Sequence, residues 1–178
     1  MMSFIRNRLA GFARDESGTA TVEFVIVFPA YMALMIMGLE LSLMTLRHTM
    51  LERGLDIAVR EIRLGTGTAP THDGIRDRIC EEAFTIVDCQ ANLRLEMVPT
   101  DMRNLTGLGN EVQCTDREEE GAPVLKFTPG QQNQLMFLRA CVKYDPIFPA
   151  WELARAFSKD NSGQVGIIAM TAFVQEPL

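Results

Sequence analysis

The sequence predicts an α+β protein: a long N-terminal transmembrane helix that continues into a small domain built on an antiparallel sheet of three to four strands. Three observations carry this expectation. No charged side chain stands between Phe24 and Leu39. Beyond that run, Leu51, Leu55, Ala58 and Ile62 recur at helical spacing. Farther along, Asn92–Met97 and Met136–Tyr144 alternate at the period of two that marks a strand.

With its flanks Thr19–Val22 and Leu41–Leu46, the apolar run is long enough to cross a bilayer. About twenty residues rising about 1.5 Å each cover a hydrocarbon core of roughly 30 Å. The run is apolar on every face, unlike the amphipathic helix of a soluble domain. Arg6, Arg8 and Arg14 precede it, which predicts a cytoplasmic N-terminus, although Arg47 and Arg53 follow it. It is longer than the apolar part of a secretory signal and no A-x-A-like site follows, so the span is expected to stay in the mature chain. Pro29 predicts a local kink. Glu40 lies 40 − 19 = 21 residues past Thr19, about 31 Å along an ideal helix. That places it near the outer membrane interface, as an anchoring detail.

Glu23 is the exception inside the apolar block. A carboxylate at membrane depth costs about 2.5–3.5 kcal/mol at mid-helix on insertion scales, and less near the edge. Such a group calls for a partner, which makes Glu23 a candidate functional residue.

The segment Arg14-Asp15-Glu16-Ser17-Gly18-Thr19-Ala20-Thr21-Val22-Glu23-Phe24 resembles the N-terminus of TadE-like pseudopilins of tight-adherence pili. Those begin with a short charged leader ending in Gly, followed by a hydrophobic helix with Glu at its fifth position. The resemblance covers about residues 11–46 closely, and the distal part only in its type IV pilin-like layout. It implies cleavage by a membrane prepilin peptidase between Gly18 and Thr19, which makes Glu23 the fifth mature residue. It implies partners as well: the membrane, other pilins or pseudopilins, and the pilus assembly machinery. It places the chain in a bacterial inner membrane, with the C-terminal domain in the periplasm or in a surface pilus. Phe24 stands where the major pilins often have Tyr, which suits a minor subunit. Cleavage would leave a positive amine on Thr19, and residues 19 and 23 are neighbours on one helix face. The Glu23 carboxylate could then neutralise that amine on its own chain or on an adjacent one.

These readings divide the chain into a cleavable basic leader (1–18), a transmembrane segment (19–46), an amphipathic extension (47–65) and an extracytoplasmic domain (66–178). In the extension, Gly54 is expected to weaken the helix locally, and Gly65–Pro70 to end it. In the domain, Asp73 is the expected N-cap of a helix carrying Ile75, Ile79 and Ala83. Gln164–Gln175 reads as a third strand, apolar on both faces and therefore central or pressed against a helix. Residues 99–134 read as a polar surface excursion with one short strand near Val124–Phe127. Pro149 is expected to start a short helix containing Trp151, Leu153 and Phe157, and Asp160–Gly163 to form a turn.

Cys80, Cys89, Cys114 and Cys141 all follow the span. An even number confined to the distal side suggests two disulfides in an oxidising compartment. Three pairings are possible. Cys80–Cys89, stapling the helix to the following strand, and Cys114–Cys141, tying the excursion to a strand, are favoured.

The function classes are bounded by what the residues lack. The formal net charge is −6 and no Lys/Arg stripe follows the leader, which argues against nucleic-acid binding. There is no G-x-S-x-G, H-E-x-x-H, P-loop or C-x-x-C. His48 and His72 read as surface residues, so neither an enzyme nor a metal or cofactor site is expected. Against the structural subunit stands one alternative, an unprocessed single-pass protein whose outer domain binds a partner or ligand.

Overall fold

The computed structural model describes residues 19–64, 70–101, 114, 126–148 and 163–176. The leader with Gly18, most of the Gly65–Pro70 terminator, Val124 and Leu125, the expected Trp151 helix and most of the Asp160–Gly163 turn lie outside the described residues. The elements run α1 (Thr19–Arg63), α2 (His72–Glu82), α3 (Cys89–Asn92), β1 (Arg94–Pro99), β2 (Leu135–Tyr144) and β3 (Val165–Val174). The chain divides into two units, Met1–Leu39 and Glu40–Leu178, and α1 contributes to both.

In the second unit the sheet has the order β1-β2-β3, antiparallel throughout. The registers Leu95↔Ala140 and Ala140↔Ala169 align the inward residues of all three strands. Leu95, Met97, Met136, Leu138, Ala140, Val142, Val165, Ile167 and Ala169 are buried on this face. Leu51, Leu55, Ala58, Val59 and Ile62 of α1 and Ile75 and Ile79 of α2 close the same core. Each large side chain fully buried here contributes about 1.5–3 kcal/mol of transfer free energy.

Helix α1 lies alongside β3. His48 Nε2 is 3.2 Å from the Ile168 carbonyl, and Gln175 Nε2 donates to the Ile62 carbonyl at 3.2 Å. Fourteen helical residues (62 − 48) rise about 21 Å, and seven strand residues (175 − 168) extend about 23 Å. Helix and strand therefore run in the same direction. The Arg63–Glu176 ion pair, at 3.0 Å, ties their ends together.

Two sequence expectations are corrected. The N-cap of α2 is Thr71, whose Oγ1 accepts from Gly74 N at 3.2 Å, and Asp73 sits in the first turn. The helix starts earlier because Thr71 holds the extended φ/ψ that a cap needs. Strand β1 begins at Arg94 rather than Asn92. Asn92 closes a helical turn by donating its N–H to the Asp88 carbonyl. Strand β3 is pressed against a helix on one face, as expected, and among the described residues it stands at the edge of the sheet. Val165, Ile167, Ala169 and Phe173 are buried, while Gly166, Met170, Ala172 and Val174 are exposed.

Gly54 has a packing role that helix propensity does not reveal. A Cβ there would stand 2.8 Å from the Ile79 carbonyl oxygen, so α2 crosses α1 with backbone almost against backbone. A Gly54→Ala chain is expected to lose about 1–3 kcal/mol through this overlap, more than the gain of up to about 1 kcal/mol from better helix propensity. Thermal melting of the detergent-solubilised full chain checks this, and an unchanged or raised midpoint contradicts it.

Candidate functional site: the apolar helix and the base of the head

Among the described residues, the first unit offers a helix surface with no buried side chain. Val22, Phe24, Val25, Ile26, Val27, Phe28, Tyr31, Leu34, Met35 and Leu39 are all exposed. Among the described residues α1 is the one helix long and apolar enough to cross a membrane, and none of its most apolar window is buried. The helix begins at Thr19 and continues unbroken through Pro29. The Phe24 and Phe28 rings stack with centroids 4.9 Å apart.

Glu23 is exposed on this surface, one helical turn after Thr19. Among the described residues no cation pairs with it. The carboxylate thus stands beside Val22 and Phe24, at the start of the apolar run, where it can take a positive group.

At the base of the second unit, Glu40 departs from the sequence reading. It is not a solvated interfacial charge: it is 8% exposed, and its Oε1 accepts a hydrogen bond from Ile147 N at 3.1 Å. Its Oε2 is buried without a hydrogen-bond partner among the described residues. Nearby, the Arg47 guanidinium lies 4.3 Å from the centre of the Tyr144 ring. Burial pushes the Tyr144 phenol above its ordinary range, Arg47 pulls it back, and the Glu40 charge adds to the rise. The hydroxyl therefore stays protonated, and the cluster clips the chain leaving β2 onto α1. Replacing Glu40 with Ala is expected to free the Ile147 amide, with hydrogen exchange there rising about tenfold or more. An unchanged rate at that amide opposes the assignment. No pattern around Glu40 marks this role, since its partner is 107 residues away.

Cys80 is bonded to Cys89, with Cα atoms 5.7 Å apart, and Cys114 to Cys141, at 5.4 Å. The first bond joins α2 to the short α3 rather than to the strand after it, because α3 intervenes between Asp88 and β1. The second ties residue 114 to the central strand. His48 is half-buried against β3, whereas His72 stands at the start of α2 with Nδ1 3.1 Å from Asp73. The Asp73 carboxyl is held below its usual range by that His72 bond first and by Arg76 second.

An apolar helix with no internal cover, one carboxylate near its start, and a disulfide-linked α+β head fit a single-pass membrane protein. The family model described as TadE-like protein matches residues 18–60, most of this helix. That match takes in Gly18, Thr19 and Glu23 and ends before α2. No curated protein and no solved structure matches the chain.

Proposed function

We propose that this chain is a minor pilin-like subunit of a tight-adherence pilus. A prepilin peptidase cuts it between Gly18 and Thr19. It remains in the inner membrane through α1, with its disulfide-bonded head on the periplasmic side, and takes part in pilus assembly through helix–helix contacts. On this reading it is a structural subunit and not an enzyme.

The observation that carries the reading is the exposed Glu23 carboxylate one turn from Thr19, within the segment that matches the TadE-like family. In lipid the apolar side chains around it gain no hydrophobic driving force by meeting another helix, so a polar contact adds to packing as an incentive for α1 to associate. A freshly liberated amine on Thr19 of a neighbour supplies one. Charge pairing at low dielectric is strong, and it removes two otherwise unpaired ions from an apolar medium at once.

N-terminal sequencing of the chain purified from its native membranes tests the reading. A start at Thr19 is expected. A start at Met1 or Met2 would instead describe an unprocessed bitopic protein.

A further inference from the structure

The charge-free run ends where the base of the head begins. No charged side chain stands between Phe24 and Leu39, and the next residue is Glu40. Glu40 is buried, and its Oε1 accepts the Ile147 N–H at 3.1 Å. Two turns on, along the same helix face, the Arg47 guanidinium lies 4.3 Å from the centre of the Tyr144 ring. The chain leaving β2 thus passes along α1 from the level of Arg47 to that of Glu40, a rise of about 10 Å. It is apolar where it arrives: Pro146, Ile147 and Phe148 follow Asp145, and Ile147 is 49% exposed.

Two physical constraints bracket the edge of the bilayer at this level. Irregular backbone exposed to lipid does not occur within the hydrocarbon region, because nothing there satisfies its polar groups. Residues 145–148 belong to no helix or strand, and Asp145 is exposed. The hydrocarbon therefore ends no farther out than Glu40. From the other side, Leu34, Met35 and Leu39 are exposed apolar side chains that lipid has to cover, so the hydrocarbon reaches Leu39. Length agrees. Thr19–Leu39 is 39 − 19 + 1 = 21 residues, about 31 Å of helix against a hydrocarbon core of roughly 30 Å. A span carried on to Leu46 is 46 − 19 + 1 = 28 residues, about 42 Å, and fits only at a tilt of about 45°, beyond the usual range of about 0–40°.

We propose that the outer hydrocarbon boundary lies at Glu40, and that Ile147, with Phe148 beside it, rests in the interfacial layer of that leaflet. The loop is a second, shallow membrane contact next to the span, and its ligand is the phospholipid leaflet itself. Apolar side chains at the boundary of headgroups and acyl chains are a general form of such contact. Glu40 holds the loop at this depth through the Ile147 amide while its own carboxylate stays covered by protein. The leaflet is favoured over a protein partner because the segment is bonded to the residue adjoining Leu39, so lipid is at hand before any partner arrives. The inference rests on the reading of α1 as a membrane span and stands apart from Glu23 and from cleavage at Gly18.

Depth-dependent fluorescence quenching tests it, on the full chain in vesicles of phosphatidylethanolamine and phosphatidylglycerol. Ile147→Cys, Ala30→Cys and Arg60→Cys are each labelled with bimane, and the lipids carry a nitroxide either at the headgroup or at the chain end. The label at 147 is expected to be quenched by the shallow nitroxide at least about twofold more than by the deep one, and at least about twofold more than the label at 60. Arg60 is 60 − 40 = 20 residues past Glu40, about 30 Å along the helix, and its label reports water. The label at 30, in the middle of the span, should prefer the deep nitroxide. If 30 is quenched and 147 escapes both nitroxides, the span stands and the proposal is overturned. Deeper quenching at 147 than at the headgroup also overturns it, since the loop would then lie in hydrocarbon. Loss of quenching at 30 removes the span reading and this inference together. Should an added cysteine exchange with a native disulfide, Ile147→p-benzoylphenylalanine irradiated in host membranes decides the matter. A phospholipid adduct is expected, and adducts to protein alone would assign the loop to a partner and overturn the proposal.

Discussion

A Glu23→Gln chain is expected to be cut after Gly18 like the parent and to reach the membrane in equal amount, yet to lower pilus production at least tenfold. The substitution keeps the shape of the side chain and removes its charge. At 4 Å and an effective dielectric near 20, an amine–carboxylate pair is worth about 4 kcal/mol before desolvation is counted. Desolvation offsets much of that. A net remainder of only about 1.4 kcal/mol is still a tenfold change in association. Leaving the neighbour's amine unpaired in an apolar medium adds to the loss. Glu23→Asp, which retains the charge on a shorter stem, should recover part of the yield. The measurement is surface pilin by immunoblot, alongside N-terminal sequencing of the variant. Normal piliation in the Gln variant would rule out charge pairing as the docking force.

Reduction of the two disulfides is expected to have the largest effect on stability. Loop-closure entropy assigns about 2.6 kcal/mol to the Cys80–Cys89 bond and about 3.5 kcal/mol to the Cys114–Cys141 bond, whose sequence separations are 9 and 27. Domains of this size hold about 5–15 kcal/mol in all, so losing both bonds removes a large fraction. The melting point of the full chain in detergent should fall by more than about 15 °C on adding a reductant. The double variants C80S/C89S and C114S/C141S should divide that fall unequally, the second losing more. A shift of a degree or two would mean that the core alone holds the head together.

Periodicity made the long elements legible. The charge-free run, the Leu51–Ile62 spacing and the Met136–Tyr144 alternation are local patterns, and α1 and β2 follow them. Glu23 was legible for a related reason, since a single acid inside an apolar block needs explaining wherever the block ends up. Other features depend on contacts distant in sequence. Glu40 acquires its role from Ile147, and Gly54 from the Ile79 backbone, neither of which any nearby spacing reveals. Thr71 and Asp73 are both good caps two positions apart, and only the backbone angles at Thr71 decide between them. Strand β3 was ambiguous because an uncharged sequence is equally suited to the middle of a sheet and to an edge strand backed by a helix.

The position of Glu40 shows where the head could be separated from its anchor. Among the described residues, every buried side chain of the core belongs to residues 51 and beyond, and the clip from Glu40 to Ile147 holds the first residue of the second unit. A truncation that opens at Glu40 would therefore keep the complete hydrophobic interior and both cystines while discarding the lipid-seeking stretch. Expressed into an oxidising compartment, such a fragment should dissolve without detergent, which would make the head accessible to solution spectroscopy.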